Sequence, residues 1–203
     1  MKTSVFATMA LLLASLWMGV ASAAAVVGQA APEFTATDSN GAPVSLSSLK
    51  GKFVVLEWMN PSCPFTQKHY RSANMQSLQR LYREKDVVWL SVNTASANSS
   101  SFRPASEMNA WLTEMKAAPT ALLMDSDATV AKLYAAKTTP HLFVINPDGL
   151  VIYAGAIDDK RSVSVEDVKG AKNFVKAALD EGLAGIPVST PSTQPYGCPV
   201  KYQ

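Results

Sequence analysis

Phe53-Val54-Val55-Leu56-Glu57-Trp58-Met59-Asn60-Pro61-Ser62-Cys63-Pro64-Phe65-Thr66 is the stretch that decides the architecture. Its first six residues form a nearly continuous apolar run broken by one carboxylate, the pattern of a central strand covered on both faces. Proline is favoured at the first position of a helix, where its missing N–H would have had no partner, so Pro64 marks a helix start. Phe65, Met75, Leu78, Leu81 and Tyr82 then recur at helical spacing and predict one amphipathic helix reaching about Lys85. Cys63 falls at the strand-to-helix junction. The unpaired N–H groups and partial positive charge of a helix start favour thiolate over thiol, lowering a cysteine pKa there from about 8.5. The competing reading of such a cysteine is a small buried hydrophobe.

Outward from this junction the chain alternates strands and helices. Upstream, residues 32–38 predict a short strand entering a turn at Asn40-Gly41. Downstream, residues 87–92 predict a second buried strand, and the Ser-, Asn- and Ala-rich residues 93–101 a mobile surface loop. Ser106 is placed to cap a helix running to about Lys116, with Met108, Trp111, Leu112 and Met115 on one stripe. Strands are predicted at Ala121–Met124 and His141–Ile145, a short helix at 128–134, and a hairpin through Asn146-Pro147-Asp148-Gly149 returning along 150–154. A helix over 165–183 closes the unit, with Val168, Phe174, Val175, Ala178 and Leu179 on its apolar side. The expected fold class is α/β, a central mixed sheet flanked by helices with an N-terminal strand extension.

Residues 186–203 differ in kind. Pro187, Pro191, Pro195 and Pro199 exclude a helix or central strand and predict an extended tail. About 13 residues separate Gly185 from Cys198, roughly 40 Å at polyproline II rise, comparable with the width of a domain whose radius of gyration is about 16 Å. Cys198 therefore has the reach to meet Cys63.

The 203 residues, 48% hydrophobic and 17% charged, suit one core, expected over residues 24–185. A formal charge of +2, with no Lys/Arg block interleaved with aromatics, excludes a nucleic-acid partner. Lys2, the uncharged apolar run 5–20 and Ala21-Ser22-Ala23 predict a cleaved signal peptide over residues 1–23; the run falls short of the ~20 residues a spanning helix needs, so no stable membrane insertion is expected after cleavage. Export to a periplasm or the exterior lets disulfides persist, and the two cysteines, Cys63 and Cys198, can pair with each other or with another molecule.

Ala31-Pro32-Glu33-Phe34, Leu49-Lys50-Gly51-Lys52, the Asn60 to Thr66 junction, and Thr138-Thr139-Pro140-His141-Leu142-Phe143-Val144-Ile145 together resemble the thioredoxin-like superfamily. Within it the likeness, spanning residues 27–183, is to the redoxin group that joins alkyl hydroperoxide reductase/thiol-specific antioxidant peroxiredoxins to periplasmic thioredoxin-like proteins. The resemblance implies that Cys63 is the attacking sulfur and that Thr139-Pro140 is a cis peptide whose loop lies against it. Glu57, six residues before Cys63, stands where thioredoxins carry a buried carboxylate that moves protons; a partly exposed or lysine-paired acid is the alternative. Thr66 stands where a C-x-x-C site has its second cysteine. Its hydroxyl can donate to a thiolate but forms no disulfide, so resolution must come from elsewhere.

Cys198, in Tyr196-Gly197-Cys198-Pro199, is the candidate resolving residue. It would form a disulfide after Cys63 is oxidised to sulfenic acid, or attack a mixed disulfide. A permanent staple is the alternative, one that chain-entropy reasoning places at about 4 to 5 kcal/mol. Two departures count against peroxidase activity: Asn60 stands where peroxiredoxins carry Thr or Ser, and no arginine matches their peroxide-polarising one. His69, expected on a helix surface, and His141, expected to approach Cys63 through the Pro140 loop, make no metal-ligand spacing with the cysteines, so neither metal nor cofactor is expected. The expected function is an exported thiol-dependent oxidoreductase of antioxidant, redoxin character, its substrate a peroxide or a protein or small-molecule disulfide and its reductant an external thiol. The alternatives are a dedicated disulfide exchanger and a non-catalytic binding module with a structural disulfide.

Overall fold

A computed structural model describes residues 24–202 of the chain; the expected signal peptide lies outside the described residues. In chain order its elements are β1 (Thr35–Thr37), β2 (Pro43–Ser45), β3 (Val54–Trp58), α1 (Pro64–Arg71), α2 (Asn74–Arg83), β4 (Val88–Asn93), α3 (Ala105–Glu114), β5 (Ala121–Met124), α4 (Thr129–Tyr134), β6 (Thr138–Thr139), β7 (His141–Ile145), β8 (Val151–Gly155), α5 (Phe174–Leu183) and β9 (Cys198–Pro199). Five strands form one sheet in the order β5-β4-β3-β7-β8. β3 runs parallel to β4 and antiparallel to β7, so the strand that leads to Cys63 is central and wholly buried.

Because successive side chains of a strand point to opposite faces, β3 divides between two cores. Val54, Leu56 and Trp58 pack with Val88, Leu90, Phe143 and the α4 residues Val130, Ala131 and Tyr134. Val55 faces the other way, against Met75, Leu78 and Tyr82 of α2, Met108 of α3, and Val175, Ala178 and Leu179 of α5. Each face of the sheet is thus covered, as the nearly continuous apolarity of residues 53–58 requires.

Three sequence expectations are corrected. The single helix expected from Pro64 to about Lys85 is two, α1 and α2, divided at Ser72 and Ala73, where Ala73 adopts φ 58°. No proline or glycine announces this break. Local polar bonds hold it instead: Ser72 Oγ donates to the His69 carbonyl and Asn74 Nδ2 to His69 Nδ1, alternatives to the helical ladder. Ser106 does not cap α3, which begins one residue before it, behind Pro104. The helix expected over 165–183 is a short 3-10 turn at Glu166–Gly170 followed by α5, whose start is set by the Asn173 side chain accepting the Lys176 N–H at 2.8 Å.

The tail is extended and pinned along its length. The Ala154 and Thr193 N–H groups bond to the Pro191 and Ala154 carbonyls beside β8, and Thr193 Oγ1 accepts the Ala156 N–H at 2.9 Å. β9 then pairs antiparallel with β6, the Val200 N–H donates to the Lys137 carbonyl, and Lys201 bridges Ala95 beyond β4. The tail therefore crosses the end of the sheet at which β3 hands over to α1. Its close approach demands glycine at Gly155, φ +157°, where a Cβ would overlap Thr193 Oγ1 and lie 2.6 Å from the Thr193 carbonyl oxygen. Gly155→Ala is expected to lift residues 191–193 and destabilise the protein by about 1–3 kcal/mol, read as a lower urea midpoint at unchanged slope.

Candidate active site

Cys63 is the N-cap residue of α1 and is 2% exposed. The turn before it is held by Asn60, whose carbonyl accepts the Cys63 N–H at 3.0 Å and whose Oδ1 accepts the Ser62 N–H at 2.8 Å. Opposite lies the loop made by the cis peptide Thr139-Pro140, and the Cys63 thiol donates to the Thr139 carbonyl at 2.9 Å. Thr139 is in register with Cys198 across the β6–β9 pair. This pairing brings the second thiol to the first. Both cysteines are free thiols, each near enough to shift the other's ionisation, with Cys198 half-buried.

The two sulfurs are driven in opposite directions. Burial pushes the Cys63 thiol up, but hydrogen bonds from the Cys198 and Thr139 side chains and the Thr66 and Cys198 backbone outweigh it, leaving the pKa below its ordinary value. For Cys198, burial, the hydrogen bond it makes to Cys63 and the charge on Cys63 push the pKa up to about 12, against the pull of Lys201. Of the pair, Cys63 ionises first while Cys198 keeps its proton and donates it toward the thiolate.

Other expected site residues fall in varied places. Thr66 is buried beside Cys63, but its hydroxyl accepts the Asn60 N–H at 3.5 Å, and it is the Thr66 backbone that favours the thiolate. Glu57 is fully buried and accepts from Trp89 Nε1 at 2.7 Å, Tyr70 Oη at 2.8 Å, Ser91 Oγ at 3.0 Å and Gln79 Nε2 at 3.2 Å. Burial pushes its pKa up against those four bonds, and none of the four donors belongs to Cys63 or Cys198. His141 is turned to Lys137, whose N–H it accepts at 3.2 Å on Nδ1, and stacks near Phe143. His69 is corrected outright: it is wholly buried, because the tail covers the α1 face that the sequence leaves open. Among the described residues no group of three or more His, Cys, Asp or Glu is placed to hold a metal ion.

Sequence reasoning missed several residues. Arg103, at the end of the polar loop, reaches Ser62 Oγ at 3.4 Å, one residue from Cys63. Gly197, φ +133°, lies so close to Thr139 that a Cβ would overlap its carbonyl oxygen. Tyr196, Asp158 and Lys68 join His69 in a buried polar cluster under the tail. Only the Tyr-Gly-Cys-Pro turn hinted at these contacts, since their partners are more than ninety residues away or lie in other elements.

A family model described as AhpC/TSA matches residues 27–154. The thiol-disulfide oxidoreductase ResA of Bacillus subtilis is 27% identical over 125 residues, which span 62% of this chain and 64% of that relative. A conserved protein of Geobacillus kaustophilus superposes with a TM-score of 0.75 at 27% identity, covering 88% of this chain and 93% of that one. A secreted Mycobacterium tuberculosis disulfide oxidoreductase homologous to E. coli DsbE gives a TM-score of 0.51 at 22% identity, covering 68% and 92%. The fold is thioredoxin-like, a central mixed sheet flanked by helices.

Cys198→Ala removes the thiol that donates to Cys63 and is expected to move the Cys63 ionisation midpoint upward in a titration of thiolate ultraviolet absorbance. Trp89 Nε1, Gln79 Nε2 and Ser91 Oγ all donate to Oε2 and Tyr70 Oη alone to Oε1, so Glu57→Gln keeps its carbonyl oxygen on the first three and sets its N–H₂ against the Tyr70 hydroxyl. It is expected to cost about 1–3 kcal/mol in chemical denaturation while leaving that midpoint in place.

Proposed function

We propose that this chain, which belongs to the AhpC/TSA family, is an exported thiol-disulfide oxidoreductase that cycles between a Cys63/Cys198 dithiol and the corresponding intramolecular disulfide. The observation that carries this reading is the meeting of the two cysteines at Thr139, whose carbonyl accepts the Cys63 thiol and whose strand pairs with Cys198, with Cys63 pushed toward thiolate and Cys198 away from it. Cys63 as thiolate attacks one sulfur of a substrate disulfide; that S–S bond breaks, one substrate thiolate leaves, and a mixed disulfide forms on Cys63. Cys198 passes its proton to the departing thiolate and attacks the Cys63 sulfur, releasing the second substrate thiolate. An external dithiol then reduces the Cys63–Cys198 bond. Thr139 and the cis Pro140 supply the wall against which the sulfurs meet, Thr66 supplies a backbone donor to the thiolate, and Glu57 holds the strand beneath the junction.

The relatives support disulfide exchange: ResA and the Mycobacterium protein are both described as disulfide oxidoreductases. A domain over residues 24–185 preceded by a cleaved leader and followed by the tail, in the periplasm or outside the cell, completes the reading. Its support is the apolar run 5–20 and the absence, among the described residues, of any helix long and apolar enough to cross a membrane.

One observation favours a second reading. Cys63 is only 2% exposed, an access that suits a small oxidant. In that reaction the thiolate attacks a peroxide oxygen, the O–O bond breaks to give sulfenic acid and water or alcohol, and Cys198 displaces hydroxide, which leaves as water.

Oxidation of the reduced protein is expected to yield one intramolecular disulfide by mass spectrometry. Cys63→Ser is expected to lower reduction of a protein disulfide by at least about a hundredfold, and Cys198→Ser to accumulate substrate on Cys63. Faster turnover of peroxide than of disulfide, in parallel assays with one thiol donor, would select the second reading. A reduction potential below about −300 mV would mark the bond as a structural staple and remove both.

A further inference from the structure

Beneath the tail lies a polar cluster that the proposed chemistry does not use. Lys68 and His69, both on α1 and both shielded from solvent, face Asp158, which follows β8 and is 2% exposed. Asp158 Oδ2 lies 3.6 Å from Lys68 Nζ and 3.9 Å from His69 Nε2 and makes no hydrogen bond. Lys68 Nζ donates instead to the Lys160 carbonyl at 2.6 Å. Into this cluster the tail inserts Tyr196, itself 7% exposed.

The hydrogen bonds give the insertion a direction. Asn74 Nδ2, an amide donor, points at His69 Nδ1 at 2.9 Å, so Nδ1 accepts. The His69 proton therefore sits on Nε2, 3.2 Å from the Tyr196 hydroxyl, which accepts it. The same hydroxyl donates to Asp158 Oδ1. Burial holds the His69 pKa down at about 4, with Asp158 opposing and Lys68 assisting, so the ring is neutral and the chain Asn74 to His69 to Tyr196 to Asp158 runs one way. Phe65 meets the Tyr196 ring edge-on with centroids 5.7 Å apart.

Two residues beyond Tyr196, Cys198 pairs with Thr139 over Cys63, and Gly197 between them is packed against the Thr139 carbonyl with no room for a side chain. Two of the three socket residues, Lys68 and His69, lie on α1, and the nucleophile is that helix's N-cap. We infer that Tyr196 is a positioning residue: docked in the Lys68, His69 and Asp158 socket, it sets the tail's register and holds Cys198 within bonding reach of Cys63. This rests on the proposed Cys63–Cys198 redox couple. Preorganising one thiol against another raises its effective concentration without adding any contact between the sulfurs.

A second tail tyrosine supplies the control. Tyr202 also anchors the tail by its hydroxyl, to the Ala136 and Ala131 carbonyls at 2.5 and 3.2 Å, but it lies on the far side of Cys198 and its hydrogen bonds go to neutral carbonyls. The experiment equilibrates the full chain in glutathione redox buffers and reads the fraction of Cys63–Cys198 disulfide for wild type, Tyr196→Phe and Tyr202→Phe. Loss of a hydrogen bond to a charged group predicts about a tenfold fall in effective concentration for Tyr196→Phe, the equivalent of about 1.4 kcal/mol. Tyr202→Phe is expected to change it by less than about fivefold, the scale of one neutral bond. No fall in Tyr196→Phe, or equal falls in both variants, would overturn the inference, since general loosening of the tail affects them alike. If Tyr196→Phe does not fold, Asn74→Ala removes the donor that orients His69 and leaves the tail intact. It is expected to give a two- to fivefold fall by the same one-bond scale, and an unchanged value overturns the inference. Absence of any intramolecular disulfide in wild type would instead remove the redox couple itself, an outcome distinct from a couple that forms but ignores Tyr196.

Discussion

The pairing of β9 with β6, which sets Cys198 opposite Thr139, is the constraint on which the site depends. Thr139 faces two ways at once: its carbonyl accepts the Cys63 thiol, and its backbone carries the tail strand that holds the second sulfur. The consequence is electrostatic. A helix start already favours thiolate, and a neighbouring S–H that donates to it adds a stabilisation that only the charged form receives. The donor is correspondingly reluctant to ionise, so proximity itself assigns different roles to two chemically identical groups.

That constraint needs a tail that stays in place, and the chain secures it on both sides of Cys198. Thr193 is clamped against Gly155 upstream, and Val200 and Tyr202 bond to residues 131–137 downstream. Between them a buried ion pair is used where an apolar contact would have been the easier choice. Buried charges rarely add net stability over well-packed hydrophobes, but a half-satisfied one is costly, so Lys68 and Asp158 penalise any register that leaves the Tyr196 socket empty. Glu57 works by the same logic within the core: its four donors come from α1, α2 and β4 and bind those elements to the strand that leads to Cys63.

Much of the architecture is written locally. The apolar run 53–58, Pro64 at a helix start, the Asn-Pro-Asp-Gly turn and the Pro-rich tail each act through φ preferences or periodicity within a few residues, and each element stands where those preferences put it. The errors have one cause. The break at Ala73, the late start of α5 and the burial of His69 all depend on polar bonds or on a covering segment, and residue periodicity carries no record of either.

The sequence by itself determined the α/β alternation, the central strand, the position of Cys63 at a junction and the reach of Cys198, because strand covering, helix starts and chain length are local or additive properties. Tertiary structure alone decided that the two thiols meet at Thr139, that Glu57 is spoken for by four donors outside the dithiol, that Arg103 stands near Ser62, and that Tyr196 closes on a charged socket. Those are meetings of residues distant along the chain. Their geometry is set by packing and desolvation, which no spacing in the sequence encodes.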